Sequence, residues 1–275
     1  MTVDVLLPYY GDVAMMKQAV ESILGQTSPD WTLTVIDDGY PDESIPGYFG
    51  ALAAQDSRIA YLRNEKNLGP EGNWNRCLQV ARGTYFKLLP HDDLLRPDCL
   101  EQQVAVLQGD EAHRYALVFC ARDVIGSDGR QLMRRGFPGA KSGPISRDAA
   151  VRACVRRGTN LIGEPGAVLC RKSLVDRIGA YDGTNPYVID LDYCFRLLEH
   201  GDAWYSAEPL AAFRVSAQQW SVVIGSSQSK DFLDFLARVE AGAPLPLSPF
   251  DRFCGSFTPK LNNLARLLFY RFYLK

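Results

Sequence analysis

The chain opens on a short apolar run, Val3–Leu7, closed by Pro8, and passes into a stretch where Val13, Met16, Val20, Ile23 and Leu24 recur on one helical face. The pattern then repeats. Leu33–Ile36 predicts a second strand running into Asp37-Asp38-Gly39, a loop and helix fit between Asp42 and Gln55, and Ile59–Leu62 predicts a third strand. Pro70 suits the first turn of a helix reaching about Ala81, with Trp74, Cys77, Leu78 and Ala81 spaced i, i+3, i+4, i+7. Tyr85–Leu89 predicts a fourth strand, with Pro90-His91-Asp92-Asp93 at its end. Pro97 opens a further helix that turns Leu100, Val104 and Leu107 inward, and Ala116–Cys120 adds a buried strand. Strands alternating with amphipathic helices predict an α/β fold with a mostly parallel sheet and crossover helices.

The alternation fades after Arg122. The stretch to Gly166 reads as loop-rich, with Gly126-Ser127-Asp128-Gly129 as a hairpin turn. Regular structure returns as a strand at Ala167–Cys170, a helix from about Leu191 to His200 and a strand around Trp204. No repeat, low-complexity tract or clear linker interrupts the chain, which implies one domain over 1–215 and a helical C-terminal extension over 216–275. The last part, 259–275, carries Lys260, Arg266, Arg271 and Lys275 among leucines and aromatics, with no acid. Two readings of it stay open: a basic amphipathic helix on an anionic membrane surface, and a terminal helix docked on the core.

Composition narrows the classes. The 275 residues are 47% hydrophobic and 23% charged, and 30 Lys+Arg against 32 Asp+Glu leave a net charge of −2. Such a chain can bury a full core, and its balance argues against a nucleic-acid clamp. No run approaches the roughly 18 apolar residues of a membrane span. No basic, apolar and cleavage regions of a secretory leader are visible at the start. The seven cysteines are scattered without a CxxC, which suits reduced thiols in a cytoplasmic protein better than a disulfide frame or zinc site. GxSxG, HExxH and GxGxxG are absent, which sets aside serine hydrolases, zinc peptidases and dinucleotide oxidoreductases.

In open parallel sheets, ligands sit beyond the carboxyl ends of the strands, near the point where strand order reverses. Pro8-Tyr9-Tyr10-Gly11, Asp37-Asp38-Gly39 and His91-Asp92-Asp93 all fall there. Adjacent carboxylates repel unless something positive lies near, and hard divalent cations prefer carboxylate oxygen, so the second acidic pair points to a cation. The first pair reads equally as an Asx-type turn. Asp190 and Asp192 open a helix, where an acid serves as an N-cap or as a general base. Of the three histidines, His113 and His200 read as surface residues. Arg134, Arg135, Arg147, Arg152, Arg156, Arg157 and Arg171 concentrate positive charge in the second half, either as solvated surface or as a face that attracts a diphosphate.

These residues, in this order, resemble the family-2 glycosyltransferases with the GT-A fold, over about Val3 to Phe213. Val5-Leu6-Leu7-Pro8-Tyr9-Tyr10 is similar to the family's opening strand, with Tyr10 in the place of the base-stacking aromatic. Gln26-Thr27, then Val35-Ile36-Asp37-Asp38-Gly39, resembles the element whose Asp contacts the nucleobase. Asn67-Leu68-Gly69 with Asn75 resembles the pattern lining the nucleotide pocket, and Leu88 to Asp93 falls where an Asp-x-Asp metal motif belongs. Gly163-Glu164-Pro165, Ala167–Arg171 and Ile178-Gly179-Ala180-Tyr181-Asp182 look like the acceptor side, and Asp190-Leu191-Asp192 like the motif supplying the base.

The chain also departs from the pattern. Gly11 stands where Asn is usual, Tyr40-Pro41 replaces Ser, Trp74 takes the place of an Arg, and Pro90 that of the first Asp of Asp-x-Asp. Ile189 replaces a Glu, and Val215-Ser216 a His. Tyr10 also reads as a half-buried strand-end residue and Trp74 as core.

The resemblance implies an inverting, metal-dependent transferase with a Rossmann-like GT-A sheet, a nucleotide-sugar half over about 1–110 and an acceptor half over about 111–215. The donor would be a UDP-sugar first, with dTDP or GDP open, and the acceptor a glycan or lipid-linked oligosaccharide. Pro8, Tyr10, Asp37, Asp38, Asn67, Gly69, Asn75, His91 and Asp92 would bind the nucleotide sugar, and Asp92 with Asp93 would hold Mn²⁺ or Mg²⁺. Glu164 would face the acceptor, and Asp190, or Asp192, would be the base. The setting would be the cytoplasm, at the inner face of a membrane. A catalytically inactive nucleotide- or glycan-binding module and a sugar-nucleotide nucleotidyltransferase are the competing readings; the latter lacks its Gly-rich basic loop here.

Overall fold

The computed structural model describes residues 1–216, 227–242 and 245–273. Its centre is β1 (Val3–Tyr9), which pairs in parallel with β2 (Trp31–Asp37) on one side and β4 (Tyr85–Leu88) on the other, while β3 (Ile59–Arg63) lies beyond β2. The chain therefore moves outward from β1 to β3 and returns across it to β4, so strand order reverses between β1 and β4. Pro8 does not end β1: it sits in the ladder opposite Ile36.

Alternation along β1 sets the two layers. Val3, Val5, Leu7 and Tyr9 join one apolar cluster and Leu6 the other. The first cluster is covered by α1 (Val13–Leu24), α2 (Ser44–Gln55) and α4 (Cys99–Gly109) through Met16, Val20, Ile23, Phe49, Leu100 and Leu107. Leu24, assigned to the inward face of α1 by its spacing, is 38% exposed at the helix end. The second cluster takes Cys77 of α3 (Gly69–Val80) and most of α7 (Ile189–Leu198).

Beyond β4 the sheet changes character. β9 (Val168–Arg171) runs antiparallel between β4 and β6 (Tyr115–Ile125), and β6 pairs in parallel with the long β10 (Asp202–Arg214). The short β5 (Leu94–Leu95), β7 (Gln131–Arg135) and β8 (Gly143–Ile145) add antiparallel edges. The mostly parallel sheet that the sequence predicts is thus parallel over β1 to β4 and for β6 with β10, and β9 joins the two parts antiparallel.

The expected loop-rich stretch is more ordered than its sequence suggests. Gly126 to Gly129 form the predicted turn, joining β6 to β7, with Gly129 at φ +80°. After β8 comes α5 (Arg147–Arg157), capped by Ser146, whose Oγ accepts from the Ala149 N–H, and ended by Gly158 at φ +59°. Four arginines in α5 dilute its mean hydropathy, yet Ala150, Val151, Cys154 and Val155 form a narrow buried stripe.

Two further helices, α6 (Lys172–Ile178) and α8 (Gln228–Gly242), precede α9 (Pro249–Tyr273). Residues 259–273 are therefore the later part of a longer helix. Pro259 is tolerated inside it and packs on the bare backbone of Gly158, where a Cβ would come within 2.5 Å of the Pro259 nitrogen. Lys275 lies outside the described residues.

Candidate active site

The carboxyl ends of β1, β2 and β4 and the N-terminus of α3 border a cavity of about 860 Å³, closed on its far side by the segment after α5, the entry to α7, and α8 and α9. Tyr10 follows β1 into its wall, 48% exposed, with its ring edge-on to Tyr40 at 5.4 Å. Tyr40 also packs on Tyr9 at 5.3 Å, and His91 meets Tyr9 at 5.6 Å from the β4 side. An aromatic flank is thus built from the residue after β1 and from Tyr40, which the sequence marks as a departure. Pro8, Gly11, Asn67 and Gly69 line the same cavity, and Trp74 reaches it while packing on Tyr181 at 5.2 Å.

The first acidic pair divides. Asp37 is fully buried outside the wall: one oxygen accepts from the Tyr40 N–H at 2.8 Å, the other from the Tyr61 hydroxyl at 2.6 Å, and Arg63 lies at 3.7 Å. Asp38 lines the cavity and accepts from the N–H groups of Leu68 at 2.8 Å and Gly69 at 2.9 Å, satisfying amides at the start of α3. Asn75 faces away from the cavity and exchanges two hydrogen bonds with the Tyr181 backbone, while Asn73, two residues earlier, is in the wall.

Both members of the second pair line the cavity, at different depths. Asp93 is buried, and one of its oxygens accepts from the Arg214 N–H at 2.9 Å; burial, with Asp92 alongside, pushes its carboxyl well above the usual range. Asp92 is half-buried in the cavity wall, and its backbone carbonyl accepts from Arg214 Nε at 2.8 Å. Arg214, itself 1% exposed, also reaches Gln18 and the carbonyls of Gly126 and Ser127, so it ties the acidic loop to the β6–β7 turn. His91 sits against Gly11, and burial pulls its pKa down.

Across the cavity lining stands a network that the sequence shows only in part. Glu164 is paired with Arg122, which is 1% exposed, and with Arg135 at 3.6 Å. Burial pushes the Glu164 carboxyl up, but the two guanidiniums outweigh it and hold it below the usual range. Asp190 lies in the first turn of α7, not at its N-cap, which is Val188. Its Oδ2 accepts from Asn160 Nδ2 at 2.9 Å, and burial, with Glu164 adding repulsion, lifts its pKa to about 6. Asp192 is buried away from the cavity between Arg196 at 2.9 Å and Arg238 at 3.1 Å.

Several residues of the site went unmarked by the sequence reading. Asn160 holds Asp190 and bridges to Gly163, Tyr187 and Arg266 close the wall near α9, and α8 adds Gln228 and Phe232. Charges inside apolar strands, Arg122 in β6 and Arg214 in β10, were the available signal, since a buried guanidinium requires a partner. The C-terminal helices are thus part of the wall.

The sequence profile of Glycosyl transferase family 2 matches residues 4–179. The chain belongs to this family. It is 26% identical over 221 residues to an uncharacterized glycosyltransferase of Rickettsia prowazekii, covering 79% of this chain and 65% of that one. It is 33% identical over 105 residues to the Escherichia coli UDP-Glc:alpha-D-GlcNAc-diphosphoundecaprenol beta-1,3-glucosyltransferase WfgD, 38% of this chain and 40% of WfgD. The chain therefore spans about two thirds or less of the length of these relatives. Its fold is that of S. aureus TarS 1-349 in complex with UDP-GlcNAc, with a TM-score of 0.66 at 14% identity over 99% of this chain and 73% of that one. Mannosyltransferase PcManGT from Pyrobaculum calidifontis, solved with GDP-Man and Mn²⁺, gives 0.63 at 14% identity over 99% and 76%. The GT-A expectation for the fold holds.

A divalent ion fits the cavity on one condition. Among the described residues no three His, Cys, Asp or Glu side chains converge into a cage. Asp92 and Asp93 both line the cavity, and one Asp93 oxygen is taken by the Arg214 amide. That donor set suits an ion that takes its remaining ligands from a diphosphate and water, as Mg²⁺ commonly does.

Proposed function

We propose that this glycosyltransferase moves a hexose, with inversion, from a nucleoside diphosphate to a hydroxyl of a glycan or lipid-linked oligosaccharide in surface polysaccharide assembly, at the cytoplasmic face of a membrane. A uridine donor is favoured, in line with the names of WfgD and of the TarS complex, with guanosine or thymidine donors open. The observation that carries the reading is Asp190: a half-buried carboxylate in the wall of the cavity that Asp92 also lines, with its pKa raised to about 6.

In this reading Tyr10 stacks on the nucleobase, with Tyr40 bracing it edge-on. Asp38 fixes the start of α3, so that Asn67 and Gly69 keep their places beside the nucleotide. Mn²⁺ or Mg²⁺ on Asp92, when bound, neutralises the charge that builds on the departing diphosphate. Asp190 takes the proton of the acceptor hydroxyl as its oxygen attacks the anomeric carbon and the bond to the diphosphate oxygen breaks. A base with a pKa near 6 is ionised at neutral pH yet still basic enough to accept that proton. Glu164, held by Arg122 and Arg135, stays ionised and keeps Asp190 basic, and its place in the wall suits contact with the acceptor sugar.

The test is Asp190→Asn, assayed with a panel of nucleotide sugars and by calorimetry with the free nucleoside diphosphates. The expected result is a loss of transfer of at least about 100-fold with nucleotide affinity kept. Retained transfer would remove Asp190 from the chemistry. A parent protein that binds nucleotide but releases no diphosphate, with or without Mn²⁺, would make the chain a binding module.

A further inference from the structure

Helix α9 has two distinct sides. Asp251, Gly255 and Pro259 are buried against the body, and the same flank continues through Asn262, which donates to the Gly158 carbonyl at 3.2 Å, and Arg266, which meets Tyr187. The opposite side is apolar and open. Phe250, Phe253, Phe257, Leu261, Leu264 and Leu268 follow one another at three- and four-residue steps and are 48% to 71% exposed. At 1.5 Å per residue they make a stripe about 27 Å long on one face. Scattered exposed leucines are ordinary, but a continuous stripe of this length with three phenylalanines marks a contact surface.

Charge identifies the partner. The one carboxylate of α9, Asp251, is fully buried under Arg156 and Ser248. Lys260 is exposed one helical step beside the stripe, and the sequence beyond Leu268 adds Arg271 and Lys275 without an acid. A face of phenylalanine and leucine with Lys260 at its side, in a segment whose sequence adds cations and no acid, is complementary to an anionic lipid surface: the rings enter the acyl boundary and the cations meet the headgroups. Two copies of the same face would set like charge against like. None of the described helices is long and apolar enough to cross a membrane, so the contact lies along the surface.

We propose that α9 rests on an anionic bilayer through the Phe250–Leu268 stripe. Because Arg266 borders the cavity from the same helix, this seating brings the cavity to the lipid interface. The proposal rests on the membrane setting proposed above, and its test reads lipid binding without activity, so it can fail while the transfer chemistry stands.

The full chain is floated with phosphatidylglycerol-rich vesicles and with pure phosphatidylcholine vesicles, beside a Phe253→Glu/Phe257→Glu/Leu264→Glu variant. The expected result is flotation with the anionic vesicles, at least about tenfold weaker with neutral ones, since each cation near the surface contributes about 1 kcal/mol. The triple variant should lose about tenfold or more of its binding with unchanged circular dichroism, and Lys260→Glu should lose mainly the preference for anionic lipid. A parent that stays in solution with anionic vesicles overturns the proposal. So does a variant that floats as well as the parent, or a parent dimer in light scattering that the triple variant converts to monomer, which would give the stripe to a second copy.

Discussion

Asn160 donates to Asp190 Oδ2 at 2.9 Å while its own Oδ1 accepts from the Gly163 N–H at 3.0 Å, so the proposed base is held by a side chain that is itself fixed to the backbone. The hydrogen bond favours the ionised form of Asp190, and Glu164 disfavours it. Transfer should therefore fall as pH drops through about 6. Asn160→Ala removes the favourable bond and should move this acid limb to higher pH. Glu164→Gln removes the repulsion, leaves Arg122 beside Asp190, and should move the limb to lower pH. Rate profiles of the two variants between about pH 4.5 and pH 8 check both signs, and shifts in the same direction would dissociate the limb from Asp190.

Asn75 ties α3 to the segment after α6: its Nδ2 donates to the Tyr181 carbonyl at 3.1 Å, and the Tyr181 N–H donates back to its Oδ1 at 2.7 Å. Asn75→Ala leaves both backbone groups without these partners, at a cost of about 2 kcal/mol. Asn75→Asp keeps the acceptor but sets an oxygen against the Tyr181 carbonyl, so it should be no better than alanine despite its shape. Denaturant melts of the pair measure this, and an aspartate variant as stable as the parent would contradict the clamp.

The pairs Asn73 and Asn75, and Asp190 and Asp192, show where the sequence stops being legible. Each pair sits two residues apart on a helix, about 200° around the axis, so only one member of each can face the cavity. Periodicity contains that constraint, but the choice of member depends on what covers the other side: Tyr181 for Asn75, and Arg196 with Arg238 for Asp192. β1 to β4 were readable because neighbouring apolar runs pair in order. Arg122 and Arg214 were not, because Glu164 and the Asp92 carbonyl, which their guanidiniums meet, lie 42 and 122 residues away. α5 was hidden by its four arginines, two of which find Asp251 only after α9 has docked.

Gly11 is a packing requirement. A Cβ there would lie 2.5 Å from His91 Nε2, and the ring cannot retreat freely because it stands against Tyr9. Gly11→Ala should cost about 1–3 kcal/mol, as overpacking does, and weaken nucleotide binding by moving the loop that carries Asp92. His91→Ala opens the space, so the double variant should be more stable than the sum of the two single effects predicts. Strict additivity in a thermal-melt cycle would place the two residues out of contact.

Burial lifts Asp190 from 3.8 to about 6, and the same shift acts on folding. Between these values the folded chain holds a proton that the unfolded chain has released, so stability falls as pH rises from about 4 to about 6 and stays lower above that. One pKa unit corresponds to about 1.4 kcal/mol, and partial solvent access at the cavity wall reduces the total, giving a penalty of about 1–3 kcal/mol at neutral pH. Asp190→Asn removes the charge and keeps an oxygen for Asn160. It should therefore melt higher than the parent at about pH 7.5, by about 2–4 °C per kcal/mol, with the difference closing near pH 4. The same substitution is expected to abolish transfer, so one residue would raise stability and remove activity together, as expected where a buried base is held ionised for chemistry. A variant that melts below the parent at neutral pH, or a difference that widens toward pH 4, would show that Asp190 supports the fold instead.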